Sequence, residues 1–216
     1  MKVFTIYSES HAKLFKKFKS HLGNWADLKA RKAPQLCSGD YRSENSVYFY
    51  MLKCAYFMEI CETEKEFLYL DCDVICTGDP TEDLNQRLGD NDLIIQRDKK
   101  LFGLFPMVCG GIFYVKVNDR TKEMFRWMLQ NIEFYGDDQR VMNRYLLKRK
   151  IKWDFLPETY WSLNFDNGNK VWDGKRNLVI KNRSYKMFHL NWAIGENKFK
   201  LLGRVKPWVN FLQGKI

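Results

Sequence analysis

Two aspartates, Asp71 and Asp73, follow a continuous apolar run, Phe67 to Leu70, which is typical of a strand buried on both faces. In extended backbone, residues two apart point to the same side, so both carboxylates should face one small volume while Cys72 points the opposite way. Like charges this close repel each other unless a cation lies between them, so the pair predicts a divalent metal site. In the alternative interpretation, one aspartate caps a turn and the other is solvated.

A third ligand could come from His189, one of only three histidines, which ends the stretch Lys186 to Phe188. A lone histidine can equally be a hydrogen-bonded structural residue, and that alternative stays open. If His189 is a ligand, its nitrogen favours Mn²⁺, because Mg²⁺ prefers oxygen ligands and water. The three residues therefore predict Mn²⁺, with Mg²⁺ as the second choice.

These residues need a fold that brings distant strand ends together. Apolar patterns predict strands at residues 2–7, 67–70, 74–76, 92–96, 112–115, 152–156, 178–180 and 187–190. Helices are predicted from residue 14 to 22, from a cap at Ser43 to about Cys61, through residues 124–132, and from residue 136 to 146. Strands that alternate with helices favour an α/β fold with a mainly parallel sheet, in which ligands bind beyond the carboxyl ends of the strands.

Composition limits the remaining possibilities. A chain of 216 residues with 45% hydrophobic and 29% charged residues is typical of one globular domain and excludes disordered and fibrous classes. Six scattered cysteines indicate reduced thiols, and neither a signal peptide nor a membrane-spanning run is apparent, so we expect a cytoplasmic protein. Residues 109–216 contain 21 Lys and Arg against 10 Asp and Glu, which favours an anionic partner.

The order of the motifs resembles that of GT-A glycosyltransferases, in particular the retaining, glycogenin-like and galactosyltransferase-like branch. The resemblance covers most of the chain and depends on the apolar strand with Asp71-Cys72-Asp73, on Gly110-Gly111, on the segment Asp138 to Asn143, and on His189 with Gly195 and Lys198. More narrowly, the pattern is similar to the N-terminal glycosyltransferase domain of a chlorella-virus protein that decorates the capsid glycoprotein. The resemblance implies a single GT-A domain over residues 1–216, with one Rossmann-like, mainly parallel central sheet flanked by helices. That domain could be the first of a longer polypeptide.

By this resemblance, Asp71 and Asp73 hold Mn²⁺ and, through it, the diphosphate of a UDP-sugar donor, with Cys72 between them and His189 as a further metal ligand. A metal that bridges the phosphates neutralises the charge that develops on a departing nucleoside diphosphate. Lys198 would contact the same diphosphate. The chain departs from the family here, because five residues separate His189 from Gly195 where two are usual. We expect that longer loop to affect the position of Lys198 more than that of His189.

The remaining site residues follow from the same resemblance. Lys53 would lie near the donor sugar and the aspartate pair, Thr5 and Tyr7 would bind the base, and Gly110 and Gly111 would allow close approach of the backbone to the ligand. Asp138 and Gln139 are the catalytic candidates at the reacting face of the sugar. Three of these assignments have a structural alternative: an exposed helix lysine for Lys53, strand packing for Tyr7, and a simple turn for Gly110 and Gly111.

The acceptor implied is a glycan or glycoprotein, and the implied cytoplasmic location would be the host cytosol if the chain is viral.

Two other functions remain open. A haloacid-dehalogenase-like phosphatase would use Asp71 as nucleophile and Asp73 as general acid, although its aspartate pair normally lies on the first strand. A nucleic-acid-binding module would explain the sequence pI of about 9.2 and the basic run at residues 148–150, but no nucleic-acid motif accompanies it. The residues themselves do not identify the donor sugar, so hexose and 6-deoxyhexose donors are both open.

Overall fold

The structure, a computed structural model, describes residues 1–38, 43–101, 105–148, 151–163, 172–175 and 184–212. Within these ranges, a six-stranded sheet is formed by β1 (Lys2–Tyr7), β2 (Asp27–Lys32), β3 (Glu66–Leu70), β5 (Leu93–Leu101), β6 (Phe105–Lys116) and β7 (Trp153–Phe155), in the order β2-β1-β3-β6-β5-β7. Three of its five neighbouring pairs are parallel. Strand β6 runs antiparallel to both β3 and β5. Only residues 102–104 separate β5 from β6, and so short a connection between neighbours requires an antiparallel pair.

A second, three-stranded sheet is formed by β4 (Val74–Cys76), β9 (Met187–His189) and β8 (Tyr160–Ser162), in the order β4-β9-β8. Strand β4 is antiparallel to β9, and Val74 pairs with His189. This register brings the end of β9 beside the segment that follows β3. The small sheet therefore carries the candidate histidine to the candidate aspartates.

Helices cover both faces of the large sheet. They are α1 (Ala12–His21), α2 (Ser46–Thr63), α3 (Thr81–Leu88), α4 (Asp119–Tyr135), α5 (Asp138–Lys148) and α6 (Glu196–Leu212), and a short 3-10 turn spans Glu9–His11. On one face, α2, α4 and α5 pack over an aromatic core around Phe57, Phe113 and Phe125. On the other face, α1 and α3 cover Leu68 and Tyr114. The predicted α/β fold with a helix-flanked central sheet is thus confirmed.

Three local predictions are wrong. Helix α2 has Asn45, in a left-handed conformation, as its N-cap, and the buried Ser43 hydroxyl has no hydrogen-bond partner among the described residues. Gly110 and Gly111 lie inside strand β6 rather than before it. Asp71 to Val74 form a turn closed by the Val74 N–H donating to the Asp71 carbonyl (3.1 Å), so the segment is not extended. The predicted strand at residues 178–180 lies outside the described residues.

Two strands were not predicted. Strand β2 consists largely of charged residues, because it lies at the sheet edge and pairs only with β1, so its side chains stay in water. Strand β8 has three residues, too few for a periodic pattern.

Candidate active site

A cavity of about 250 Å³ opens where β1, β3 and β9 end, beside the middle of β6. Polar and charged side chains of distant segments converge on it. They include Ser8, His11, Lys53, Asp71, Asp73, Asp137, Asp138, Gln139, Arg140, His189, Asn191 and Lys198, with Gly110 and Gly111 forming part of the wall. A concave site with several convergent polar groups is the usual form of a ligand pocket.

The predicted metal ligands are brought together. One ligand atom each from Asp71, Asp73 and His189 lies within 4.8 Å of the others. His189 Nε2 is 3.2 Å from Asp73 Oδ1 and 4.0 Å from Asp71 Oδ2. The turn after β3 directs both carboxylates into the cavity, and Cys72 between them packs against the apolar core and also lines the cavity. Two carboxylates and an imidazole are a donor set that suits Mn²⁺.

Gly111 provides the space that such a site needs. A Cβ atom placed at this position would lie against the His189 ring carbon Cε1, and 2.7 Å from both His189 Nε2 and Asp71 Oδ2. The absent side chain therefore leaves a cradle beside His189 and Asp71. The donor set and the cradle together fit a bound divalent cation, which Asp71, Asp73 and His189 would hold. Gly110 has a parallel role, since its Cβ would lie 2.8 Å from Asp138 Oδ2.

Two lysines, Lys53 buried and Lys198 partly buried, neutralise the carboxylates. Lys53 Nζ, on α2, lies 2.9 Å from Asp71 Oδ1 and 2.6 Å from Asp138 Oδ2, and donates to the Gly110 carbonyl at 3.1 Å. Burial opposes its charge, but Asp138 and Asp71 outweigh that cost and raise the pKa of Lys53 well above its usual value. The lysine is therefore a fixed cation at the floor of the cavity, and not an exposed helix lysine.

Lys198, near the start of α6, donates to Asp73 Oδ2 at 2.7 Å. Burial lowers the pKa of Lys198, whereas Asp73 raises it, and the net direction is upward. Burial alone would raise the pKa of Asp73, but Lys198 and His189 hold it well below its usual range. Despite the longer loop that precedes it, Lys198 thus reaches the metal-ligand cluster.

Asp138 and Gln139 begin helix α5 and reach the same cavity. Four residues further along the same helix, Asn143 accepts from the Val108 N–H (2.9 Å) and donates to the Val108 carbonyl (3.1 Å). These bonds attach α5 to strand β6 and so set the position of its first turn. Gln139 Nε2 donates to the buried Asp98 Oδ2 at 2.6 Å, which fixes the orientation of the amide.

The two residues predicted to bind the base, Tyr7 and Thr5, differ in their position relative to the cavity. Tyr7 lines the cavity, and its ring stacks on Phe15 with centroids 4.0 Å apart. Thr5 lies two residues before Tyr7 in β1, is fully buried, and does not line the cavity. The hydroxyl of Thr5 has no hydrogen-bond partner within the described ranges.

Gln96 and Asp98, two polar residues of β5, were not predicted as site residues and are fully buried. Asp98 Oδ1 accepts from Asn191 Nδ2 at 3.2 Å, and Gln96 Oε1 lies 2.7 Å from His189 Nδ1. Both belong to a run of polar and charged residues, Gln96 to Lys100, so no local pattern distinguishes them from solvent-exposed side chains. Cys109, with Sγ 3.6 Å from His189 Nδ1, was also missed.

Comparison with solved structures defines the class of fold. The apo form of the glycosyltransferase GlyE from Streptococcus pneumoniae TIGR4 matches with a TM-score of 0.58 and 16% identity over 99% of this chain and 62% of that chain. The galactosyltransferase LgtC matches with a TM-score of 0.54 and 13% identity over 88% of this chain and 86% of that one. A glycosyltransferase involved in glycosylating the major capsid of PBCV-1 matches with a TM-score of 0.55 and 9% identity over 74% and 82% of the two chains. The fold is therefore that of the GT-A glycosyltransferases.

A sequence-family model of nucleotide-diphospho-sugar transferases matches residues 10–202, and the chain belongs to that family. This membership supports the GT-A prediction over the phosphatase and nucleic-acid-binding alternatives. A search of curated proteins finds no match. The chain spans 62% of the length of the GlyE chains it matches. Among the described helices, none combines the length and the apolar character needed to cross a bilayer.

Proposed function

We propose that the protein is a metal-dependent glycosyltransferase that moves a hexose or 6-deoxyhexose from a UDP-sugar to a glycan or glycoprotein acceptor, with retention of configuration. The observation that carries the proposal is the convergence of Asp71, Asp73 and His189 beside the Lys53–Asp138 ion pair in one cavity. Mn²⁺ bound there would supply Lewis-acid stabilisation of the leaving diphosphate. Every further role belongs to side chains of this chain.

The cationic side chains suit a dianionic leaving group. Lys198 sits 2.7 Å from Asp73, at the flexible end of a long side chain, so it can turn from the carboxylate to a phosphate oxygen. Lys53 is held by two carboxylates and a carbonyl, so it stays in place and keeps Asp71 and Asp138 oriented. We therefore assign Lys198 to the diphosphate, and Lys53 to positioning of the donor sugar and of the two acids.

Asp138 and Gln139 are proposed to stabilise an oxocarbenium-like transition state at the reacting face of the sugar. Gln139 donates one of its two amide hydrogens to Asp98, which leaves the amide oxygen and the second N–H for the sugar. We favour front-face substitution: the bond from the anomeric carbon to the phosphate oxygen breaks, a bond to the acceptor oxygen forms, and the acceptor proton passes to the departing phosphate oxygen. This course retains the configuration without a nucleophile from the protein.

Two proposals concern the wider setting. We infer that residues 1–216 form one GT-A domain. Because the chain covers 62% of the GlyE chain, this domain could be the first part of a longer polypeptide. We place the protein in the cytosol, because all six cysteines are free thiols, as a reducing compartment favours. Tyr7, at the cavity wall, is assigned to the base of the donor.

The test is incubation with Mn²⁺ and a panel of UDP- and GDP-linked hexoses and 6-deoxyhexoses, with release of free nucleoside diphosphate as the readout. We expect release with one UDP-sugar, loss of release with EDTA, and loss in Asp73→Asn and His189→Ala. Gly203→Ala on α6, where an added Cβ meets nothing within 4 Å, is the matched control and should be fully active. Release that persists in both site variants and in EDTA would refute metal dependence.

A second measurement tests stereochemistry. Once an acceptor is found, NMR of the anomeric proton in the product distinguishes retention from inversion. An inverted product would contradict the front-face course while leaving the donor assignment intact.

A further inference from the structure

Gln96 lies in strand β5 of the large sheet but makes its hydrogen bonds to the small sheet. Its side chain is fully buried, and Nε2 donates to the carbonyl oxygens of Tyr160 and Trp161 in β8, both at 3.0 Å. These two bonds use both hydrogens of the amide group. The orientation of the amide is therefore set by backbone groups of a strand that contributes no ligand to the metal cluster.

The amide orientation determines which atom faces His189. With Nε2 directed at two carbonyls, Oε1 faces His189 Nδ1 at 2.7 Å. The reverse orientation would place Oε1 against two carbonyl oxygens and lose both hydrogen bonds, so the network itself selects this assignment. Because an amide oxygen can only accept, Nδ1 must carry the proton. The nearby Cys109 Sγ, at 3.6 Å from Nδ1, is a much weaker partner.

A proton held on Nδ1 leaves Nε2 as the nitrogen that can offer a lone pair. Nε2 is the atom that faces Asp73 Oδ1 and Asp71 Oδ2, at 3.2 and 4.0 Å. The opposite tautomer would direct its lone pair at Gln96 Oε1 and place an N–H between the two carboxylates, where it would block a cation. The metal-ligand set therefore depends on Gln96, which contacts only Nδ1 of the His189 ring, on the side away from the carboxylates.

We propose that Gln96 is a positioning residue that holds His189 as the Nδ1–H form and so makes Nε2 a ligand for the divalent cation shared with Asp71 and Asp73. The inference rests on the metal site of the proposed function. Outer hydrogen bonds to a metal-bound histidine commonly control metal affinity about 10- to 100-fold. Loss of the Gln96 acceptor should have an effect of that size.

The test uses Mn²⁺ alone as the probe and two readouts that need no turnover. Free Mn²⁺ is counted by EPR to give the dissociation constant, and pulsed EPR detects the coupling of a coordinated imidazole nitrogen to Mn²⁺. Gln96→Met keeps the shape of the side chain but removes the acceptor, and should weaken Mn²⁺ binding about 10-fold or more with a reduced nitrogen coupling. Gln96→Glu retains an acceptor for Nδ1–H and should keep the nitrogen coupling.

Thr121→Val is the matched control, because the fully buried Thr121 hydroxyl also lies 3.0 Å from two backbone carbonyls, those of Lys116 and Asn118, but is remote from the cavity. It should lose stability without losing Mn²⁺ affinity. If Gln96→Met binds Mn²⁺ as Thr121→Val does while His189→Ala loses the nitrogen coupling, the role of Gln96 is refuted and the metal site stands. If the unmodified protein shows no imidazole coupling, the metal site itself is refuted.

A measurement on the unmodified protein keeps the inference testable even if Gln96→Met does not fold. With isotope-labelled histidine and saturating Zn²⁺ as a diamagnetic probe, nitrogen NMR reports which ring nitrogen carries a proton. Only three histidines are present, so variants of His11 and His21 assign the signals. A proton on His189 Nδ1 supports the inference, and a proton on Nε2 overturns it.

Discussion

The sharpest test of the site is the substitution Gly111→Ala, which adds one methyl group in the middle of strand β6. The added Cβ would lie 2.7 Å from both His189 Nε2 and Asp71 Oδ2. Comfortable contact between non-bonded heavy atoms needs about 3.5–4.0 Å, so the ligands must move apart by about 1 Å. The His189 ring cannot move freely, because Gln96 and Cys109 hold its other side.

The expected consequences have two separate magnitudes. Overpacking a core position typically costs about 1–3 kcal/mol, which a domain with about 5–15 kcal/mol of stability survives folded. A displacement of about 1 Å at a reacting or ligating group commonly costs about 100-fold in function. Gly111→Ala should therefore remain folded in urea titrations while Mn²⁺ affinity, measured by EPR, and nucleoside-diphosphate release both fall about 100-fold.

Two further glycines provide matched controls. Gly110→Ala would place its Cβ 2.8 Å from Asp138 Oδ2 and not against the metal ligands, so turnover should fall while Mn²⁺ affinity stays within about threefold of the unmodified value. Gly203→Ala lies on the exposed face of α6 with open space around it and should stabilise by about 0.5–1 kcal/mol without functional change. If Gly111→Ala binds Mn²⁺ as tightly as Gly203→Ala does, the inferred cradle is wrong.

Two other predictions concern charge. Lys53→Met leaves Asp71 and Asp138 without their shared buried cation, so the free energy of unfolding in urea should fall by about 3 kcal/mol, and added Mn²⁺ should restore more stability to the variant than to the unmodified protein. An equal response to Mn²⁺ in both proteins would contradict that account. The Arg120 guanidinium, aided by backbone and amide donors, lowers the pKa of the buried Asp92 to about 2. The ionised Asp92 therefore stabilises the fold above a pH of about 4, and this stabilisation is lost as the pH falls through about 2. Asp92→Asn should lower the free energy of unfolding by about 1–2 kcal/mol at neutral pH. The effect is no larger because Arg120 is half exposed and water screens the ion pair. The difference in stability from the unmodified protein should vanish near pH 2. A pH-independent difference would refute this linkage.

Much of the secondary structure was readable from the sequence because its signals are local. The apolar run before Asp71 predicted β3, and helical spacing predicted α1, α2, α4 and α5. The prediction that Asp71 and Asp73 share a volume is confirmed, although its premise of extended backbone is wrong. A turn directs both carboxylates into the cavity, and Cys72 between them fills the core.

The sequence by itself determined the chemistry available to this protein: two carboxylates after a buried strand, one imidazole on a late strand, and glycines where the cavity wall has no room for a side chain. Only the tertiary structure decided how those groups are arranged. Lys53 meets Asp138 and Gln96 meets His189 across 85 and 93 residues, through helix packing and the register of two sheets. Such pairings depend on which strands become neighbours, and no local pattern of residues encodes that choice.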